Sequence, residues 1–210
     1  IFAWVFLYPN PKIWHAIFTG IPMHWTDSLV IVFGLVTFGV EWMLLRVHGR
    51  NVDFSQTALN LSLGMIERLF ALLSLSFGLW LTTEMLGLRV LDSIQPGWLN
   101  FLAAFIGVDL FWYLYHRISH RVSIVWVAHL VHHQPEEYNL SVNFANSPLG
   151  YFVRVLVYSP LVLFGIEPEY IVLANIINGF YQALLHSELW PAWVGLERFI
   201  VTPRYHQIHH

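Results

Sequence analysis

The sequence contains no cysteine, which removes disulfide bracing, thiolate metal ligation and cysteine nucleophiles at once. Charge is also scarce. Asp, Glu, Lys and Arg make up 11% of the 210 residues, whereas a soluble domain carries roughly 25%. Ten Lys plus Arg against thirteen Asp plus Glu leave a formal charge of -3, so there is no basic surface to hold a phosphate backbone, and nucleic acid is excluded as a partner. No internal repeat, low-complexity stretch or Ser/Gly-rich linker marks off a further soluble domain. The zincin signature HExxH is missing as well: Arg117 follows His116 and Leu130 follows His129, so no glutamate base stands beside a helical histidine pair.

Apolar residues and histidine fill these gaps. Apolar types account for 57% of the chain and Phe, Trp and Tyr for 17%, and twelve histidines outnumber Lys plus Arg. The sequence opens on Ile1 and closes on His209 and His210, and it is expected to be part of a longer protein.

A bilayer core about 30 Å thick takes roughly 20 mostly apolar helical residues to cross. Three runs approach this: Ser28 to Leu45, broken only by Glu41; Leu69 to Leu86, with Glu84 near its end; and Trp98 to Tyr115, with Asp109 inside. Tyr151 to Ile166 and Tyr170 to Leu185 form a shorter pair around Pro168, expected to be a helical hairpin that spans or dips into the bilayer. Ile1 to Tyr8 reads as the tail of another span. Cationic residues beside spans stay in the cytoplasm. Arg46, Arg50 and Arg68 therefore place residues 46–68 inside, residues 87–97 fall outside, and Arg117 and Arg121 mark the inner end of the third run. The expected fold class is all-α: a polytopic membrane helix bundle with a cytoplasmic His-rich di-metal cap.

The histidines carry the chemistry. In "DLFWYLYHRISH", Asp109, Tyr113, His116 and His120 fall on one helical stripe. "HLVHH" places His129, His132 and His133 at i, i+3 and i+4, where a helix lets all three converge on one point, and "HQIHH" repeats the spacing with His206, His209 and His210. His186 ends the second arm of the hairpin, with Gln182 one turn before it. Nine imidazoles on one expected face exceed the positions around a single ion, so two ions are inferred. Structural zinc is satisfied by four ligands, and two histidines on one helix face cannot bracket a haem. Imidazole suits Zn, Cu, Fe and Ni. A dinuclear non-haem iron site that binds O2 fits best, while copper, a di-zinc hydrolase and a His-rich metal transporter stay open. Transporters place ligands near mid-membrane on broken helices, unlike the single surface expected here.

In order and spacing, the histidine pair and the two HxxHH triplets resemble the three boxes of the integral-membrane fatty acid hydroxylase and sterol desaturase superfamily. The resemblance runs from about residue 98 to the end, and "HLVHHQPEEYNLS" and "LLHSELW" look most like its alkylglycerol monooxygenase branch. It implies residues 1–97 as N-terminal membrane helices and 98–210 as a di-iron domain that stops at the third box. It further implies two Fe ions held by His116, His120, His129, His132, His133, His186, His206, His209 and His210, with O2 as co-substrate. The implied activity is hydroxylation or desaturation of a membrane lipid, an ether lipid or sterol among the candidates, with electrons from a pterin, a cytochrome b5-like protein or a ferredoxin. The implied location is the endoplasmic reticulum or a bacterial inner membrane. Gln182 matches an amide that contacts iron through water in the desaturase branch. Asp109 is the expected partner of a ligating imidazole, because an unpaired carboxylate inside a membrane helix is costly. Where some branches carry a second histidine after the singlet, this chain has Trp190.

Overall fold

The computed structural model describes residues 36–50, 52–73, 75–190 and 194–210, and those residues are helical or looped with no strand among them. The helices are α1 (residues 36–47), α2 (Phe54–Leu73), α3 (Leu75–Gly87), α4 (Gly97–Ser119), α5 (Ser123–Leu130), α6 (Gly150–Tyr158), α7 (Pro168–Leu185) and α8 (Pro203–His209). Ile1 to Tyr8, and residues 28–35 of the first expected span, lie outside the described residues.

α4 is the axis of the fold. Its 23 residues reach about 34 Å, and among the described residues it is the helix long and apolar enough to cross a membrane. The expected run Leu69 to Leu86 covers the end of α2 and most of α3, on either side of residue 74, which lies outside the described residues. Small residues set the packing of α4. Ala104 and Val108 are fully buried against Val155, Tyr158, Leu161, Val162, Ile171, Val172 and Ala174 of the following hairpin. At Gly107 a Cβ would come within 2.9 Å of Leu161 Cδ2, the close approach that small residues permit between membrane helices. The other side stays open: Trp98, Leu102, Phe105, Ile106, Leu110, Leu114 and Ile118 are all exposed, an apolar stripe that water would not tolerate on a free surface.

The expected hairpin is present. α6 runs into a 3-10 turn at Ser159–Phe164, the chain reverses at Gly165 with φ 80°, and Pro168 starts α7 with a fixed φ and no N–H left unpaired. Only glycine fits this reversal, since a Cβ would lie 2.2 Å from the Asp92 carbonyl oxygen. The 88–94 loop clasps the same corner. Leu163 O accepts from Val90 N and Leu91 N at 3.0 and 3.2 Å, Asn100 Nδ2 donates to Gly165 O at 3.2 Å, and Arg89 forms a two-pronged pair with Glu167 at 3.0 and 3.1 Å. With one end of α4 and α7 fixed here, their opposite ends bring His116 and His186 together.

Candidate metal centre

All nine histidines singled out in the sequence meet at that opposite end. They form two groups: His116, His120, His129, His133 and His209 in one, and His132, His186, His206 and His210 in the other. Within each group the ring nitrogens lie within 4.8 Å of one another. The expectation that each triplet converges on one point is corrected here. In the second box His129 and His133, four residues apart, face the five-histidine group while His132 turns to the other; in the third, His206 and His210 face the four-histidine group while His209 turns away. Positions i and i+4 sit about 40° apart around a helix and position i+3 falls on the far side of them, so a triplet wedged between two centres serves both. The seam is the stack of His133 on His210, with ring centroids 4.4 Å apart.

The contacts between rings reveal what the groups can hold. His116 Nε2 lies 2.8 Å from His209 Nε2, His133 Nε2 3.1 Å from His129 Nε2, His186 Nε2 3.1 Å from His132 Nε2 and His206 Nε2 3.0 Å from His186 Nε2. The same atom type points inward from every ring. Four or five Nε2 atoms cannot be satisfied by one another, because a neutral ring offers a donor on only one of its two nitrogens. A cation at the focus satisfies them all, and two imidazoles on one ion sit up to roughly 4 Å apart at bond lengths near 2.1 Å. The donor set therefore fits a metal in each group.

Burial holds the rings uncharged. His129, His186 and His206 are buried, whereas His120 and His209 are exposed at the mouth of the five-histidine group. Desolvation, reinforced by neighbouring imidazoles, lowers His129 and His210 to about 2 and His133 to about 4. Desolvation alone dominates at His186, which falls to about 4. Neutral rings are the form that binds metal.

Contacts beyond the rings orient them. His186 Nδ1 donates to the backbone carbonyl of Gln182 at 2.7 Å, turning Nε2 inward. Asp109 stands seven residues before His116, about 10 Å along the helix, too far to touch its ring. Its exposed carboxylate instead accepts from Asn178 Nδ2 of α7 at 3.5 Å. Aromatic residues outside the nine histidines complete the site. Trp126, one turn before His129, packs on His120 and His133 with centroids 5.1 and 5.5 Å apart. Tyr138 covers His210 and His186 at 5.3 and 5.8 Å and donates its hydroxyl to Leu185 O at 2.7 Å. Their helical or loop adjacency to the boxes was a usable signal.

Comparison with known proteins places the chain in a family. The fatty acid hydroxylase family model matches residues 101–210, which hold all nine histidines. Alkylglycerol monooxygenase of Danio rerio is 32% identical over 196 residues, covering 90% of this chain and 43% of that protein. The Homo sapiens protein of that name is 39% identical over 108 residues, 51% of this chain and 24% of the relative, and the Xenopus tropicalis one 35% over 119 residues, 57% and 26%. The chain spans less than half the length of the curated relatives it matches. No solved structure matches it. With the family model covering more than half of its residues, the chain belongs to the fatty acid hydroxylase family.

Proposed function

We propose that this chain is the metal-binding core of a multi-pass membrane monooxygenase that hydroxylates a lipid alkyl chain, with an ether lipid of the alkylglycerol type as substrate. The observation that supports it is the convergence of nine inward-facing imidazole nitrogens into two groups at the end of an apolar helix of membrane-spanning length. The nine histidines act as ligands for two iron ions, one per group. Iron held there supplies the activation of O2. The residues of the chain do the rest: the Gln182 carbonyl orients His186, Trp126 and Tyr138 shield the rings from water, and Asp109 with Asn178 joins the two helices that end at His116 and His186.

The exposed stripe of α4 offers an alkyl chain a path along the bilayer toward His116. Arg46, Arg50, Arg117 and Arg121 favour the cytoplasmic side for the metal face, in the endoplasmic reticulum or a bacterial inner membrane. In the reaction, the C–H bond beside the ether oxygen becomes C–OH with one atom of O2. The other atom leaves as water with two electrons and two protons, the electrons coming from a pterin, a cytochrome b5-like protein or a ferredoxin. The hemiacetal then breaks to an aldehyde and a free glycerol hydroxyl.

The test is turnover of an alkylglycerol by the intact protein in nanodiscs under 18O2, with the aldehyde trapped at once by borohydride. Label in the trapped alcohol, lost in iron-depleted protein and not restored by zinc, supports the reading. Cleavage that proceeds without O2 replaces it with a hydrolase.

A further inference from the structure

The segment after the second box, residues 134–141, is gripped by parts of the chain that carry no histidine of either group. Glu137 Oε2 accepts from Asp53 N, at the start of α2, at 2.7 Å. Asn60 Nδ2 of α2 donates to Ser141 Oγ at 2.9 Å, and both residues are fully buried. Gly64, one turn further, lets the turn lie directly on the helix, since a Cβ there would be 3.0 Å from Phe144 Cβ. From α1, Glu41 Oε2 accepts from Leu140 N at 2.7 Å.

Glu41 is the member that needs an explanation. It is 3% exposed, on a helix whose Val36, Val40, Met43 and Val47 are all exposed, so the carboxylate is the buried member of an otherwise outward apolar helix. Ser187, the residue directly after His186, faces the same carboxylate, and Glu41 Oε1 completes no close hydrogen bond. Glu41 therefore stands between the loop that carries Tyr138 and the turn that carries His186. Tyr138 in turn covers His186 and His210 and is tied to Leu185 O, immediately before His186. The ring contacts that Tyr138 makes from this loop fall on the four-histidine group. The contacts of the other group run through Trp126, Tyr115 and α4.

We infer that Glu41 is a positioning residue for the four-histidine site alone, so that the N-terminal helices set the affinity of one ion and leave the other unaffected. This rests on the two-metal reading above. Groups that orient metal ligands change affinity by about 10- to 100-fold when removed, and Glu41→Leu is expected to weaken one site by that factor. Glu41→Gln keeps an acceptor for Leu140 N and is expected to bind as the parent does.

The experiment is titration of the metal-free intact protein in nanodiscs with Co(II), following the visible spectrum and the ions bound per chain. His186→Ala and His120→Ala identify which spectral step belongs to which group. Loss of the His186-dependent step in E41L, with the His120-dependent step unchanged and both present in E41Q, is the expected result. Weakening of both steps together, or of neither, overturns the inference, as does an E41Q that behaves like E41L. If E41L does not accumulate, Ser141→Ala, which removes only the acceptor for Asn60, carries the same test with a smaller shift confined to the same step. A parent protein that binds no Co(II) at either group overturns the two-metal reading instead, which keeps the two failures apart.

Discussion

The ion pair between Glu67 of α2 and Arg154 of α6 is buried on both sides, with side-chain exposures of 1% and 16%, and it joins the N-terminal helices to the hairpin that ends in His186. Replacing Arg154 with leucine leaves a carboxylate enclosed without its cation. Removing one partner of such a pair destabilises by about 3–5 kcal/mol, because the stranded charge remains desolvated. For a chain of this size each kcal/mol moves the melting temperature by about 2–4 °C, so R154L is expected to melt about 6–20 °C below the parent. The double variant E67L/R154L removes both charges and fills the space with carbon, a change that is often neutral, and it should recover most of that loss. Gly150→Ala probes the same spot sterically: its Cβ would lie 2.7 Å from Glu67 Oε1, so the carboxylate must shift, with an expected loss of about 1–3 kcal/mol. Thermal unfolding in one detergent, followed by tryptophan fluorescence, measures all three. A shift below about 2 °C for R154L, or a double variant as unstable as the single, refutes the view that this pair is enclosed and matched.

Acidity should act on the metal-free protein in a definite direction. Desolvation holds the imidazoles of His129, His133, His186 and His210 at about 2 to 4, against about 6.5 in the unfolded chain. Between those values the unfolded state takes up more protons, so stability is full above pH 6.5 and falls as pH drops toward 4; equal urea midpoints at pH 5 and pH 7.5 would contradict this. His120→Ala and His186→Ala should each lower the ions bound per chain from two toward one, counted by mass spectrometry of purified protein. Asp109→Ala should lower stability by about 1 kcal/mol through its weak contact with Asn178 and leave the metal count at the parent value.

The candidate ligands could be read from the sequence because eight histidines in three boxes, with a ninth at the end of the hairpin, form local patterns, and local spacing survives folding. Their division between two centres could not. It depends on which face of each triplet meets α4 and which meets α7, and that is set by helix packing around Ala104, Gly107 and Val108. The hairpin was legible from Pro168 and two apolar runs. Asp109 and Glu41 show the same limit from opposite sides. Each is a lone carboxylate in an apolar run, and each demanded a partner. The partner of Asp109 lay on α7 rather than one or two turns along α4, and that of Glu41 lay 99 residues away; sequence spacing is silent about both.

The crossing of the triplets between the two groups also makes the distance between the two histidine groups a property of helical pitch. His132 is flanked by His133 in one short turn, and His209 by His210 in another, so each centre is bolted to its neighbour through two single peptide bonds. A rotation of either box as a whole moves histidines of both groups. An insertion of one residue inside either triplet turns the following ligands by about 100° and dismantles both centres together, a sensitivity that two separate metal sites on separate loops would not share. Two ions bound there would be held at a fixed interval, and that interval is written into the six histidines of the second and third boxes.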